Sequence, residues 1–427
     1  ILKERKRVII NFLIIIQGKI MNEGINNRRK KKISLMEIFI PLFCLINQYE
    51  IAGLHLGLIC VIAVVAIYFI KYREFYLYKP LFIFFLFMIV HDFFRMFITG
   101  FNTGLWVERV LYLLILSCIY KKVDEENLFR VWEIIGIIVM AGIFYQSFQV
   151  YILGQSVSTI NIFPFLQSNS ENYLLGYDRP HSFFLEPAAY CTWILPLLCM
   201  CMKRKKHIWM VFISISILLS TSSTGILMTG VIWLFYSFVS ARSEGKYFNS
   251  LMIVGVLIIG IGAFSNLSIF STALNKLMNI SVTNTSNSVR LVLGFQLFWA
   301  APLIYKVLGI PYMNVENYMR SGEVALSKYK LSLNLSYLGF VNAIGNCMLI
   351  YGVFGLLLYL KLFWNIWKES DLYSKCYVLT CIISIFGQSV FWNSLFVTQF
   401  AVMLCSVERT SFIRVTLGQG VTSNSYE

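Results

Sequence analysis

Charge is what this sequence has least of. Only 13% of its 427 residues are Asp, Glu, Lys or Arg, about half the share of a soluble globular protein, while 58% are hydrophobic and 16% aromatic at a mean hydropathy of +0.70. That excludes a soluble globule and predicts an all-α polytopic integral membrane protein. The usual signatures of soluble catalysis are missing too: no GxGxxG after a strand, no Walker loop, no GxSxG, no HExxH and no DxD for a metal-bound nucleotide sugar. Nucleotide-dependent chemistry is therefore not expected, and no cofactor is implied. The ten cysteines lie in or at the ends of apolar runs and show neither CxxC nor Cys/His spacing, which argues against disulfides and a metal site. The chain also does not open on Met. The stretch "VIINFLIII" at 8–16 is too short to span a bilayer and lacks the small-residue cleavage site of a secretory signal. These first residues read as upstream sequence or a translation artefact, with Met21 as the natural start.

What is present is a succession of apolar runs. A crossing helix needs roughly 20 mostly apolar residues to pass about 30 Å of hydrocarbon. Twelve runs qualify, some marginally: 36–48, 53–70, 80–99, 104–120, 131–153, 184–202, 207–221, 223–240, 250–270, 340–360, 376–391 and 393–407. The formal net charge of +15 takes its meaning from where the cations fall. With the N-terminus placed in the cytoplasm, the inner segments hold "RRKKK" at 28–32, "KYREFYLYK", "KK" at 121, "KRKK" at 203, Arg242 with Lys246, Lys368 with Lys375, and Arg409 with Arg414. The short outer turns near 49–52, 100–103, 222 and 392 hold none. This asymmetry is the positive-inside rule and predicts twelve spans with both termini inside. The layout is a basic cytoplasmic segment 1–35, one transmembrane domain 36–407 and a cytoplasmic tail 408–427. The charge is thus a topology signal; the partner is the lipid bilayer and not nucleic acid.

Two connections are long, 154–183 and 271–339, and both fall on the outer side in this topology. Loops of that length in membrane proteins usually carry function, so the active face is the outer one. Within the second, the apolar part 291–304 of "VRLVLGFQLFWAAPLIYKVLG" is flanked by Arg290 and Lys306. It fits an interfacial or re-entrant helix better than a crossing.

Among the charges on that face are Arg179, His181 and Glu186 in "RPHSFFLEPAAY"; Arg290, Lys306, Glu316, Arg320 and Glu323 in the second segment; and Asp92, Arg95, Glu108 and Arg109 near the ends of the third and fourth runs. Arginine grips phosphate oxygens bidentately and keeps its proton. Arg179 and Arg290 therefore suit a lipid-linked diphosphate, although helix-end arginines also simply snorkel to headgroups. Glu186 precedes Pro187, which is favoured in a first helical turn. It reads either as a helix cap or as a base or positioning group for a sugar hydroxyl. Asp92 and Arg95 share a helix face at i, i+3, as a mutual ion pair or as part of the wall of a polar cavity. His55, His91 and His207 have no ligand-spaced partners and read as structural.

The stretch "RPHSFFLEPAAYCTWILP" resembles the Arg, aromatic, Glu-Pro block of bacterial O-antigen and capsule repeat-unit polymerases of the Wzy type. Three further blocks follow in that family's order: "LLSTSSTGIL" at 218–227, "NSVRLVLGFQLFWAAPLIYKVLGIPY", and "NAIGNCMLIYGVFGLLLYL". The resemblance covers about 175–360 in pattern and the whole chain in loop layout. It implies a membrane glycosyltransferase that moves a growing glycan from undecaprenyl diphosphate onto the non-reducing end of a newly flipped lipid-linked oligosaccharide unit. It also implies a flippase upstream and a polysaccharide chain-length regulator as a possible partner. Carried onto this sequence, Arg179 and Arg290 would hold the diphosphate leaving group and Glu186 would position or deprotonate the acceptor hydroxyl. His181, Lys306, Arg320, Asp92 and Arg95 would line the substrate path. Tyr305, Tyr312, Tyr318 and Tyr329 would stack on sugars. An Arg-x10-Gly pattern found in some members is missing after both Arg179 and Arg290. The large-loop histidine usual in the related O-antigen ligases is also missing, which favours polymerase over ligase, while His181 keeps the ligase open. The competitor from another class is a lipid-linked oligosaccharide flippase, for which pseudo-repeated halves and a charged central cavity are expected.

Overall fold

The computed structural model describes residues 32–99, 103–120, 122–168, 178–244, 292–312, 315–321, 341–389, 391–407 and 412–416. Contacts divide the chain into Ile1–Ile33 and Ser34–Glu427, and every element below belongs to the second unit. It is mainly helical: α1 Leu35–Ile46, α2 Leu56–Tyr72, α3 Lys79–Thr99, α4 Thr103–Ser117, α5 Glu125–Tyr151, α6 Pro187–Lys203, α7 His207–Leu219, α8 Ser223–Glu244, α9 Gly294–Ala300, α10 Leu303–Leu308, α11 Val315–Arg320, α12 Ala343–Glu369, α13 Lys375–Gly387 and α14 Ser394–Cys405. Among the described residues five short strands join them: β1 Tyr49–Ile51, β2 Leu54–His55, β3 Glu74–Tyr78, β4 Gln167–Ser168 and β5 Phe412–Thr416. Eleven of the twelve apolar runs therefore coincide with a helix; the run 250–270 lies outside the described residues. Among the described residues, four helices contain stretches long and apolar enough to cross a membrane: Lys79–Phe97, Glu125–Tyr151, Ser223–Arg242 and Ala343–Glu369.

Local chemistry sets the helix starts. Ser34 and Glu37 close a capping box at the head of α1, and the Glu37 carboxylate also accepts the backbone N–H of Asp124 at 2.8 Å. Asp124 in turn caps Glu126 and Asn127. That cap starts α5 six residues before the expected run at 131. Asn342 and Asn393 cap α12 and α14 in the same way. Helix α12 extends to Glu369 rather than ending near 360, and it is two helical pieces joined across Gly352, whose φ of +64° is open to glycine and to few other residues.

Among the described residues, parts of the connections expected on the inner side contact one another. Lys203 joins Glu125 at 3.1 Å and Asp371 at 3.0 Å, Arg204 joins Glu126, and Lys206 joins Glu133. Strand β3, the "EFYLY" of the second connection, pairs antiparallel with β5 of the C-terminal tail, with Arg414 on Glu74. Strand β1 pairs with both β2 and β4, so the described part of the 154–183 segment lies against the turn between α1 and α2.

Helix α6 is the axis. Every residue from Tyr190 to Met202 is buried, and it touches α5, α7, α8, α13 and α14. A helix that is apolar on all sides belongs inside, which accounts for the unbroken run "CTWILPLLCMCM". Its indole Trp193 donates to the carbonyl of Pro41 in α1 at 2.8 Å. The segment 291–304 is not one interfacial helix: α9 and α10 are separated at Ala301–Pro302, since Pro302 starts the next turn from an extended conformation. Both rest on α12.

Candidate functional site

The buried axis α6 presents its N-terminus at the end of the bundle that carries the 154–183 segment, and the residues just before it form a clamped lip. Glu186 occupies the N-cap position with extended backbone, and Pro187 supplies the first turn. The Glu186 side chain makes no capping hydrogen bond; its backbone carbonyl accepts from Ala189 and Tyr190. The helix-cap reading is thus not what the carboxylate does.

His181 and Ser182 are fully buried, and Ser182 has φ +55°, a left-handed conformation uncommon for a residue with a side chain. One amide holds them there. Gln146 Oε1 accepts the N–H of His181 at 2.8 Å and of Ser182 at 2.6 Å, while its Nε2 donates to Ser158 O at 2.8 Å. The Ser182 hydroxyl donates to Val139 O at 2.8 Å. Gln48 donates to Phe183 O at 2.7 Å, and Ile160 N–H donates to Ser182 O at 2.9 Å. His181 Nδ1 donates to the Arg179 carbonyl at 2.9 Å, which leaves Nε2 as the acceptor of the neutral ring. Burial pushes the His181 imidazole below its ordinary value, and the nearby Arg179 charge adds to this. Arg179 is half-buried, and its charge is also felt by Tyr151 and Cys191. It therefore sits near the end of α5, the first turn of α6 and the α7–α8 turn Ser220–Ser222, to which Cys191 is hydrogen-bonded. Thr221 in that turn is the second strained residue here, with φ +49°. Such conformations cost about 1–3 kcal/mol each and concentrate at functional sites.

A second polar group lies within the helices. Asp92 on α3 is fully buried and bound by Arg109 of α4. Arg95, one turn along α3, reaches Asp92 Oδ1 at 3.5 Å, while Tyr351 of α12 donates at 3.0 Å to Oδ2, the oxygen that Arg109 holds. Both guanidinium carbons lie over the Tyr351 ring, at 5.4 and 5.7 Å from its centre. The i, i+3 pair of the sequence therefore forms, but Arg109 is the closer partner. Next to this group, His91 Nε2 donates to Leu308 O at 2.6 Å, so this histidine ties α3 to α10. Glu108 turns away and accepts from Tyr112.

The other expected residues disperse. Lys306 lies over the exposed Trp299 ring at 5.7 Å. Arg320 and Glu316 form an exposed i, i+4 pair at 2.7 Å, which belongs to neither group. Tyr305 packs edge-on and Tyr312 at a tilt against Tyr318, which is fully buried and has no face for a sugar. Arg290, Glu323 and Tyr329 lie outside the described residues. Gln146, Ser182, Tyr351 and the glycine pair Gly309 and Gly352 escaped the sequence reading. A lone amide inside the apolar run 131–153, and a Tyr-Gly step inside 340–360, were the available signals. A scan of protein-family models finds no match to this chain, and a search of curated proteins finds none either.

Proposed function

We propose that this chain is a polytopic enzyme of the bacterial inner (cytoplasmic) membrane, with twelve spans and both termini inside, that polymerises undecaprenyl-diphosphate-linked oligosaccharide units on the outer face. In this reading an acceptor hydroxyl attacks the anomeric carbon of the donor glycan. The bond from that carbon to the diphosphate oxygen breaks, and the proton of the hydroxyl passes to the Glu186 carboxylate. Arg179, with Arg290 of the second segment, neutralises the charge that grows on the departing diphosphate.

The observation that carries this reading is the lip itself. Glu186, whose carboxylate makes no capping hydrogen bond, stands at the head of a helix buried from Tyr190 to Met202, seven residues from an arginine, with two strained backbone positions nearby. The order of the four sequence blocks and the ion pairs that join the described basic connections around Lys203, Arg204 and Lys206 support it further. Arg179→Ala and Arg290→Ala are expected to leave the protein inserted while the cell-surface glycan shrinks to single repeat units; wild-type polymer lengths in both would remove the site. Complete loss of surface glycan with lipid-linked units trapped inside would point to a flippase instead.

A further inference from the structure

Several cations in the connections expected on the inner side are matched by acids. Lys203 joins Glu125 and Asp371, Arg130 and Arg204 join Glu126, Lys206 joins Glu133, and Arg414 joins Glu74. Lys71, Arg73 and Lys122 are not: among the described residues none of the three forms an ion pair with a carboxylate. Glu74, next in the chain to Arg73, is engaged by Arg414 and by the Tyr76 hydroxyl, with the charge of Lys122 a lesser influence on it. What the two lysines share instead is a ring. Lys71 Nζ lies 5.0 Å and Lys122 Nζ 4.0 Å from the centre of Tyr72. Lys71 stands in the last turn of α2, where a cation complements the helix dipole. Lys122 reaches the same ring from the α4–α5 connection, so dipole matching does not account for it. Two ammonium groups brought to one ring repel each other, and the ring offsets only part of one charge.

An apolar track leads up to this cationic end. Ile62, Ile67 and Ile70 of α2 are 53%, 48% and 80% exposed. With Ala63 and Ala66 they form one exposed face at helical spacing, and Lys71, also exposed, continues it four residues after Ile67. Val61, Val64, Val65 and Tyr68 of the same helix are buried. The C-cap Arg73 follows in a left-handed conformation with φ +53°, its side chain exposed. In a helix that crosses a bilayer, such a face meets acyl chains, and the cations at its end stand at headgroup level.

We propose that Lys71, Arg73 and Lys122 bind the headgroup of an anionic phospholipid of the inner leaflet, whose phosphodiester lies with the two ammonium groups beside Tyr72 and whose acyl chain follows Ile62, Ile67 and Ile70. The bound anion offsets the repulsion between the lysines and ties the α4–α5 connection to the end of α2. The apolar track is what selects a lipid over a soluble anion, because a free phosphate has no use for it. The inference rests on the membrane placement proposed above and not on glycan transfer.

The test is native mass spectrometry of the full-length protein in an uncharged detergent, titrated with phosphatidylglycerol or phosphatidylcholine, which counts the lipids that stay bound. The wild type should retain phosphatidylglycerol in preference. Each lysine near an anionic lipid surface is worth about fivefold in affinity, so Lys71→Gln with Lys122→Gln should lower that retention by at least about tenfold, and Lys71→Arg with Lys122→Arg should keep it. Lys368→Gln with Lys375→Gln removes the same charge from two lysines that lie over separate rings, Trp364 and Trp367, and should leave retention unchanged. Should the first Gln pair fail to fold, acetylation of the wild type supplies the measurement: phosphatidylglycerol, and not phosphatidylcholine, should slow modification of Lys71 and Lys122. No preference in the wild type, equal losses in the two Gln pairs, release of the lipid by an equimolar amount of glycerol 3-phosphate, or no protection of Lys71 and Lys122 overturns the proposal. Lipid retention without glycan elongation would strike the polymerase reading alone.

Discussion

Replacing Gln146 by Leu removes one side chain of similar volume and tests how the lip is held. Its oxygen accepts two backbone N–H groups, from His181 and Ser182, and Gln146 is only 1% exposed, so water does not replace it in place. Each buried donor left without a partner costs roughly 1–3 kcal/mol, giving about 2–6 kcal/mol against the closed lip. The left-handed Ser182, which costs about 1–3 kcal/mol by itself, persists only while its surroundings over-determine it. The loop 180–186 should therefore open locally while α6 and the rest of the bundle remain packed. Hydrogen exchange of the protein in nanodiscs reads this directly: amides 181–184 should exchange at least tenfold faster, since each 1.4 kcal/mol is tenfold, with little change inside α6. Elongation should fall although Arg179 and Glu186 are untouched. Unchanged exchange in a folded Gln146→Leu protein would refute the clamp.

Other outcomes follow from the same contacts. Arg109→Ala leaves Asp92 without its closest partner in a dry setting and should destabilise the protein by about 3–5 kcal/mol, seen as a lower unfolding temperature; a change under about 1 kcal/mol would mean that Tyr351 and Arg95 suffice. Gly352→Ala forces a side chain onto the Val307 carbonyl and within 2.8 Å of Gly309 N, so proteolysis in the 302–312 stretch should rise, and wild-type resistance would deny the packing. Glu186→Gln should cut turnover far more than substrate capture and leave stability within about 0.5 kcal/mol, because no cap bond is lost; a loss of the ~1 kcal/mol typical of a cap would restore the capping role. His181 is held below its ordinary value of 6.5, so the unfolded chain binds the proton more readily. Stability is then intact above about pH 6.5 and declines as pH falls beneath it. His181→Gln should flatten that decline, and a wild type that gains stability on acidification would contradict the assignment.

The helices were legible because each is written as a local apolar run with local start signals. Glu186–Pro187 shows this, since the Pro rule placed the head of α6 where it is. Pairings that depend on tertiary contact were not legible. Asp92 and Arg95 announce themselves at i, i+3, but the closer partner Arg109 lies 17 residues from Asp92, across the α3–α4 connection. The break at Gly352 exists because Gly309 docks there, and nothing local in "IYGVFG" distinguishes it from a continuous helix. Gln146 carries no local signal beyond being a polar residue in an apolar run; its value lies in backbone groups 35 and 36 positions away. The tyrosines of the second segment carried the right composition for sugar stacking, yet Tyr318 is spent on packing with Tyr305 and Tyr312.

The central claim is that the Arg179–Glu186 lip joins lipid-linked glycans, and one reconstitution addresses it. Purified protein in proteoliposomes, supplied with undecaprenyl-diphosphate-linked repeat units on the side of the lip, should produce a ladder of longer glycans and release undecaprenyl diphosphate, and Arg179→Ala should produce neither. Units that cross the bilayer without lengthening, or a ladder undiminished in Arg179→Ala, would contradict it.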